Sequence, residues 1–261
     1  MIIPNEKVYV EEILLSKKKP NNLSIKGLIR YIAKYFYNYC IKERNMNLIE
    51  YTGYVLSVMT HFKLPKLEYQ EYKYARYTKT YCKNMMAGIF SPTFREVETI
   101  SFTEDELATI NSAVYRKERK VLFTLYALAK IYSPQTGWVN NSEADIFKEA
   151  NVSVSNKERI QILHSLYRAE LIEINHMIDK SGYCVELNPD SPVVFETSIL
   201  HDFGNQYLCL MDKNLRICPS CGKPYRHSGG YECCGKCRQS VGGVLKKRNE
   251  VKPHDKTYIE K

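Results

Sequence analysis

Four cysteines near the C-terminal end have the spacing of a metal site. Cys218 and Cys221 are separated by two residues, as are Cys234 and Cys237, with twelve residues between Cys221 and Cys234. A two-residue spacer folds the chain back, so each pair aims two thiolates at one point. Gly222, just after the first pair, lets the backbone curl toward the sulfurs. Two such pairs supply four soft ligands for tetrahedral zinc, each sulfur about 2.3 Å from the ion. Four thiolates leave no open position for water or substrate. The expectation is therefore one structural Zn2+ ion and no metal catalysis. Three alternatives stay open. Cys233 adjoins Cys234 and offers a four-residue step to Cys237. His227 lies in the intervening loop and could replace a cysteine. An iron–sulfur cluster would use the same thiolates, although the short spacing does not favour it.

The same region is basic. Residues 213–261 hold 12 Lys+Arg against 4 Asp+Glu, whereas residues 1–212 hold 26 against 25. Nearly all of the net charge of +9 therefore belongs to the cysteine-bearing tail. A basic patch of this kind points to a polyanion, most often nucleic acid. Arg216, Lys223, Arg226, Lys236, Arg238, Lys246, Lys247 and Arg248 are the expected phosphate contacts. The plainer reading is a rigid protein-docking knob kept soluble by charge. A module this small has little core, and metal binding would supply on the order of 10 kcal/mol of its folding free energy.

The chain ahead of the cysteines is long enough for two further compact domains, and 44% of the whole sequence is hydrophobic. The expected fold is mainly α. A helical domain would occupy residues 1–90, a winged-helix-like α+β domain residues 91–212, and a basic zinc-ribbon module with its tail residues 213–261. Lys7-Val8-Tyr9-Val10 reads as a short strand. Ser24 caps a helix in which Ile25, Leu28, Ile29, Ile32 and Phe36 recur at helical spacing. A second helix spans Leu48 to Phe62, and a third follows Pro65. The third separates Leu67, Tyr74, Tyr77, Tyr81 and Met85 from Lys73, Arg76, Lys79 and Lys83. Its basic side, with Tyr69 and Tyr72, is either a phosphate-tracking face or an ordinary solvated one.

In the middle of the chain, Thr103 and Glu106 form a capping box for a short helix over residues 104–111. A longer helix runs from Arg116 to Tyr132. Trp138-Val139 reads as extended, Ser142 and Ser155 each cap a helix, and Ile172, Ile174 and Ile178 alternate toward a turn at Asp179–Gly182. Tyr183, Val185 and Leu187 alternate on the way back, and a short strand follows near Val193-Val194-Phe195. Helix, strand, helix, turn, helix, hairpin is the order of a winged helix, whose second helix enters the DNA major groove. Asn156, Lys157, Arg159, Gln161 and Arg168 would then face DNA, and Lys180 would sit at the wing tip. Ile160, Leu163, Leu166 and Tyr167 would face inward. Glu158 and Glu170 make this helix less basic than many reading helices, which suits protein docking as well.

Catalytic signatures are missing. There is no P-loop, His-Glu-x-x-His, Gly-x-Ser-x-Gly or dinucleotide fingerprint. His61, His164, His176, His201 and His254 are isolated, and Cys40, Cys82, Cys184, Cys209 and Cys233 read as buried or idle thiols. Glu104-Asp105-Glu106 suits a helix N-terminus. No secretory segment and no run of about 18 apolar residues occurs. A non-enzymatic protein of a reducing, intracellular compartment is expected.

The runs Leu28–Tyr37, Leu125–Lys130, Gly137–Asn141 and Ile146–Val152 resemble a family of uncharacterised proteins from phages, prophages and mobile elements of Gram-positive bacteria. Those relatives also end in a four-cysteine module. The resemblance implies the same architecture and a setting in the cytoplasm of a bacterial host, and assigns no activity. The Cys233-Cys234 doublet departs from its usual single cysteine. Three functions follow as expectations. The first is a non-enzymatic nucleic-acid-binding protein, with DNA favoured over RNA. The second is an interaction protein that binds a host nucleoprotein or defence complex. The third is an RNA-binding role for the same basic patches.

Overall fold

The computed structural model describes residues 3–21, 23–62, 64, 70–175, 182–227 and 231–240. The chain is mainly α-helical and divides into two compact units, Met1–Ile100 and Ser101–Lys261. Among the described residues no helix is long and apolar enough to cross a membrane.

The first unit holds α1 (Glu6–Ser16), α2 (Ile25–Tyr37), α3 (Leu48–Thr60) and α4 (Glu71–Met86), and α2 runs on into a π-helical turn at Asn38–Glu43. The strand expected at Lys7–Val10 is instead the first turns of α1. Asn5 accepts the Val8 backbone N–H at 3.1 Å, Glu6 sits in the positive first turn, and Val10 and Ile13 share the buried side. Four alternating residues are too few to outweigh a cap. Ser24 caps α2 as expected. Leu28, Ile29, Ile32, Tyr51, Val55 and Met59 fill the core. On α4 the core side is Thr78, Cys82 and Met85, while Tyr74, Tyr77 and Tyr81 lie half-buried beside it. Lys73, Arg76, Lys79 and Lys83 are exposed; Leu67 and Tyr69 lie outside the described residues. Burial pushes the Cys40 and Cys82 thiols up to about 11 and about 12, so both stay protonated and unreactive.

The second unit begins with β1 (Ile100–Thr103), α5 (Glu104–Ser112) and α6 (Arg116–Tyr132). Helix α6 is the axis of this unit. Every residue from Val121 to Ala129 is buried, as a helix apolar on nearly all sides requires. Helices α5, α7 (Glu143–Glu149), α8 (Asn156–Arg168) and α9 (Phe203–Met211) all pack on it. β2 (Trp138–Val139), β3 (Glu173–Ile174) and β4 (Tyr183–Cys184) form a three-stranded antiparallel sheet in the order β2–β4–β3. Its register sets Val139 and Ile174 opposite Tyr183. The turn expected at Asp179–Gly182 lies largely outside the described residues, as do His176, Ile178 and Lys180. Ser142 and Ser155 cap α7 and α8 as expected. A second sheet pairs β1 with β5 (Val193–Thr197). Phe102 of β1 stacks on Phe123 of α6 with centroids 4.2 Å apart, and Phe195 and Tyr207 extend the cluster.

The Thr103–Glu106 capping box is also where α5 joins α6. The buried Glu106 carboxylate accepts the Thr103 backbone N–H at 2.9 Å and the Lys130 ammonium at 2.7 Å. Glu106→Ala removes the reciprocal half of the capping box and leaves a largely buried ammonium without its anion. The expected loss is about 3–5 kcal/mol of unfolding free energy, read from urea denaturation. A loss near zero would show that the pair contributes nothing here.

Helix α8 packs differently from expectation. Leu163 and Leu166 are buried, but Ile160 is 52% and Tyr167 38% exposed. The inward side follows positions 159, 163 and 166 instead. Arg159 takes the first of these, its guanidinium 5.6 Å from the Phe147 ring centroid. A long arginine stem covers apolar surface as well as a leucine would.

Candidate metal centre

The cysteine module is built on α9. After that helix come β6 (Leu215–Ile217), β7 (Pro224–Arg226) and α10 (Gly235–Ser240), and both strands pack against α9. β6 and β7 form a hairpin with Arg216 opposite Tyr225 and Ile217 opposite Pro224. Cys218 and Cys221 lie in its turn. The turn is closed by the Gly222 N–H donating to the Cys218 carbonyl at 2.8 Å and the Cys218 N–H donating to the Lys223 carbonyl at 2.9 Å. Gly222 has φ +67, a left-handed conformation that glycine adopts without a Cβ penalty. Cys234 stands just before α10 and Cys237 within it. The Cys234 backbone N–H points at the first pair, donating to Cys218 Sγ at 3.4 Å.

The sulfurs of Cys218, Cys221, Cys234 and Cys237 all lie within 4.8 Å of one another. A regular tetrahedron with each sulfur 2.3 Å from its centre has edges of about 3.8 Å. The Cys221–Cys234 sulfur separation is 3.7 Å, which fits such an edge and is far too long for a disulfide. Cys233 is buried but outside the cluster. His227 is outside it too, its ring edge-on to Tyr225 and its backbone N–H on the Asn214 carbonyl at 2.8 Å. The geometry could hold one metal ion.

No protein-family model, curated protein or solved structure matches this chain. The electrostatics of the cluster say what the four sulfurs need. The Cys234 backbone N–H, joined by those of Ser220 and Cys221, pulls Cys218 down to about 6. The Cys237 N–H lowers Cys234 in the same way. Cys237, facing the thiol groups of Cys221 and Cys234, is pushed up to about 12. Backbone dipoles thus support part of the negative charge, while hydrogen bonds among the thiols keep Cys237 protonated. A divalent cation at the centre is the group that lets all four ionise together.

The basic residues of the module do not share one face. Paired residues in an antiparallel hairpin point the same way and neighbours along a strand point oppositely. Arg216 therefore lies on one face with Tyr225, and Arg226 on the other with Leu215. Lys223 is exposed at the turn and Lys236 on α10. Arg238 is half-buried, its guanidinium 3.8 Å from the Tyr231 ring centroid. Lys246, Lys247 and Arg248 lie outside the described residues, as Lys180 does. On α8, Asn156, Lys157, Gln161 and Arg168 are exposed and Arg159 is half-buried. Glu158, the acidic residue beside them, is tied to the N-cap of α8. Its carboxylate accepts the Ser155 backbone N–H at 2.9 Å, which holds it below the usual glutamate range.

Sequence reasoning missed what fixes the module's base. The Lys120 ammonium donates to the Asn151 carbonyl at 2.6 Å, and the Asn151 amide to Asn205 Oδ1 at 2.7 Å. Asn205 in turn donates to Asp202 Oδ2 at 2.6 Å, and the Asp202 N–H to Glu149 Oε2 at 2.7 Å. Burial, then the charge of Arg116, lowers Lys120. This polar chain ties α9 to α6 and α7. The one local hint was the Asn205-Gln206 pair, two polar residues within an otherwise apolar helix.

Proposed function

We propose that the chain is a non-enzymatic nucleic-acid-binding protein, acting on duplex DNA, with one structural zinc ion in a ribbon of four cysteines. The observation that carries this reading is the sequence α6–β2–α7–α8–β3–β4, with its strands ordered β2–β4–β3. That order is consistent with a winged helix, and on this reading α8 serves as the reading helix. Its exposed Asn156, Lys157, Gln161 and Arg168 suit base edges and phosphates. Zinc is favoured over other metals because four thiolates in closed tetrahedral array are its structural ligand set. The resemblance to phage and mobile-element proteins supports action in the cytoplasm of a bacterial host.

The test is a gel shift with random duplex DNA across a salt series. Four phosphate contacts would weaken binding about a hundredfold between about 50 and 200 mM salt. Lys157→Ala with Arg168→Ala should flatten that slope by about two contacts. Absence of binding at the lowest salt overturns the proposal.

A second reading has its own observation. Ile160 and Tyr167 are exposed on α8, where a strictly DNA-reading surface has little use for them. This favours an interaction protein that grips a host nucleoprotein or defence complex. Partners that survive nuclease treatment of a host extract would select it over the first reading.

A further inference from the structure

We propose that the first unit carries a second, independent binding pocket, one that takes a single nucleotide unit: a planar base with its phosphate. The pocket has a volume of about 580 Å³, within the range of small-molecule sites. It lies among α1, the end of α2, the π-helical turn, α3 and the segment around Phe94. All of these belong to the first unit, so the site does not depend on the reading of α8 or of the cysteines.

Its walls are aromatic. Tyr35, Phe36, Tyr39, Tyr54 and Phe94 all line it. They brace one another edge-on or tilted. Centroids are 5.1 Å apart for Tyr35–Phe36, 5.2 Å for Phe36–Tyr54 and 5.7 Å for Tyr39–Tyr54. Phe94 is backed by the Lys34 ammonium at 4.9 Å, and that ammonium is fixed by Glu6 at 2.7 Å. Glu6 is held in turn by the Arg95 guanidinium at 2.6 Å. The wall is thus rigid before any ligand arrives, which lowers the ordering cost of binding. The π-helical turn contributes Asn38, Tyr39, Lys42 and Glu43, four of its six residues. π-helical turns are rare and are frequently found at functional sites.

The rim selects the ligand. Lys7 and Lys42 are exposed there, and among the described residues neither is in an ion pair. Glu43 and Glu96 stand on the same rim. A hydrocarbon would leave both charge types unanswered, and a bare anion would not use five rings. A nucleotide uses all three features. Its base stacks on the rings, its phosphate meets the ammonium groups, and its exocyclic amine donates to a carboxylate. Two sources share this chemistry, a free mononucleotide and the phosphorylated end of a strand.

The full-length protein should be titrated calorimetrically with the four ribonucleoside 5′-monophosphates, and with single-stranded tetranucleotides bearing or lacking a 5′-phosphate. Saturable binding is expected for at least one series, weakened tenfold or more by Lys42→Glu and by Tyr39→Leu. Lys42 is exposed, so its reversal leaves the fold intact and keeps the test valid should the tyrosine variant unfold. Equal affinity for monophosphate and phosphorylated tetramer assigns a free nucleotide; preference for the phosphorylated tetramer assigns a strand end. No binding of either, or binding unchanged by Lys42→Glu, overturns the pocket. Blunt duplex binding should be the same in the Lys42→Glu protein and the parent, which separates failure of this site from failure of the α8 reading.

Discussion

Cys221→Ser should abolish stoichiometric zinc, and chelation of the parent protein should unfold residues 213–240 while the α6 core stays folded. The reason is the distribution of buried surface. Of the described residues from 213 to 240, only Cys218 and Cys233 are buried. Two cysteines cannot offset the entropy of ordering some two dozen residues, at about 1 kcal/mol or more each. The hairpin contributes two three-residue strands, and α10 is six residues long. Neither persists alone at that length. On the proposed reading the remaining source is a metal ion, worth on the order of 10 kcal/mol for a structural zinc. Helix α6, by contrast, is enclosed by four helices and owes nothing to the sulfurs. Elemental analysis should find one zinc per chain in the parent and far less in the variant. Amide exchange after chelation should collapse across the module alone. Equal zinc in parent and variant, or a module still protected after chelation, would mean that the four-sulfur cluster is held by something other than an ion.

How far the sequence foretold this molecule depends on the range of the interaction involved. Caps act within four residues, and Ser24, Thr103, Ser142 and Ser155 all begin the helices read from them. Helix α6 was legible end to end because its apolar residues are so dense. The cysteine cluster was legible because a two-residue spacer constrains the sulfurs locally. What could not be read is long-range. β1 pairs with β5 some ninety residues away, and nothing in Ile100-Ser101-Phe102-Thr103 announces that partner. The inward side of α8 was misplaced because Ile160 and Tyr167 outrank Arg159 in hydropathy, whereas the aromatic ring of Phe147 gives that arginine a place to lie. The polar chain from Lys120 to Glu149 joins three separate segments, so no window of sequence contains it. The first-unit pocket is hidden for the same reason: α2, α3 and residues near 94 meet only in the folded unit.

Gly204→Ala should destabilise the second unit by about 4 kcal/mol or more. A Cβ at this position would lie 1.7 Å from the Ala150 carbonyl oxygen, 2.3 Å from its carbon and 2.7 Å from Lys120 Cε. Two of those three atoms are backbone, so no rotamer change relieves the clash. Helix α9 must move away from the end of α7. That movement pulls Asn205 from Asn151 and Asp202 from Glu149, at distances now of 2.7 Å each. Each buried polar group left unsatisfied adds about 1–3 kcal/mol to the cost of overpacking. The Lys120 ammonium, already disfavoured by burial, would lose support for the carbonyl it binds. Because β6 and β7 rest on α9, the cysteine module should loosen too, seen as faster loss of zinc to a chelator. Gly53→Ala is the contrast. Gly53 lies within α3 with nothing within 4 Å of its added Cβ, so this change should stabilise the first unit by roughly 0.5–1 kcal/mol through helix propensity. Urea denaturation of the two variants should therefore move in opposite directions. If Gly204→Ala unfolds at the same urea concentration as the parent, the close approach of α9 to Ala150 does not hold this unit together, and the base on which the cysteine module stands must be found elsewhere.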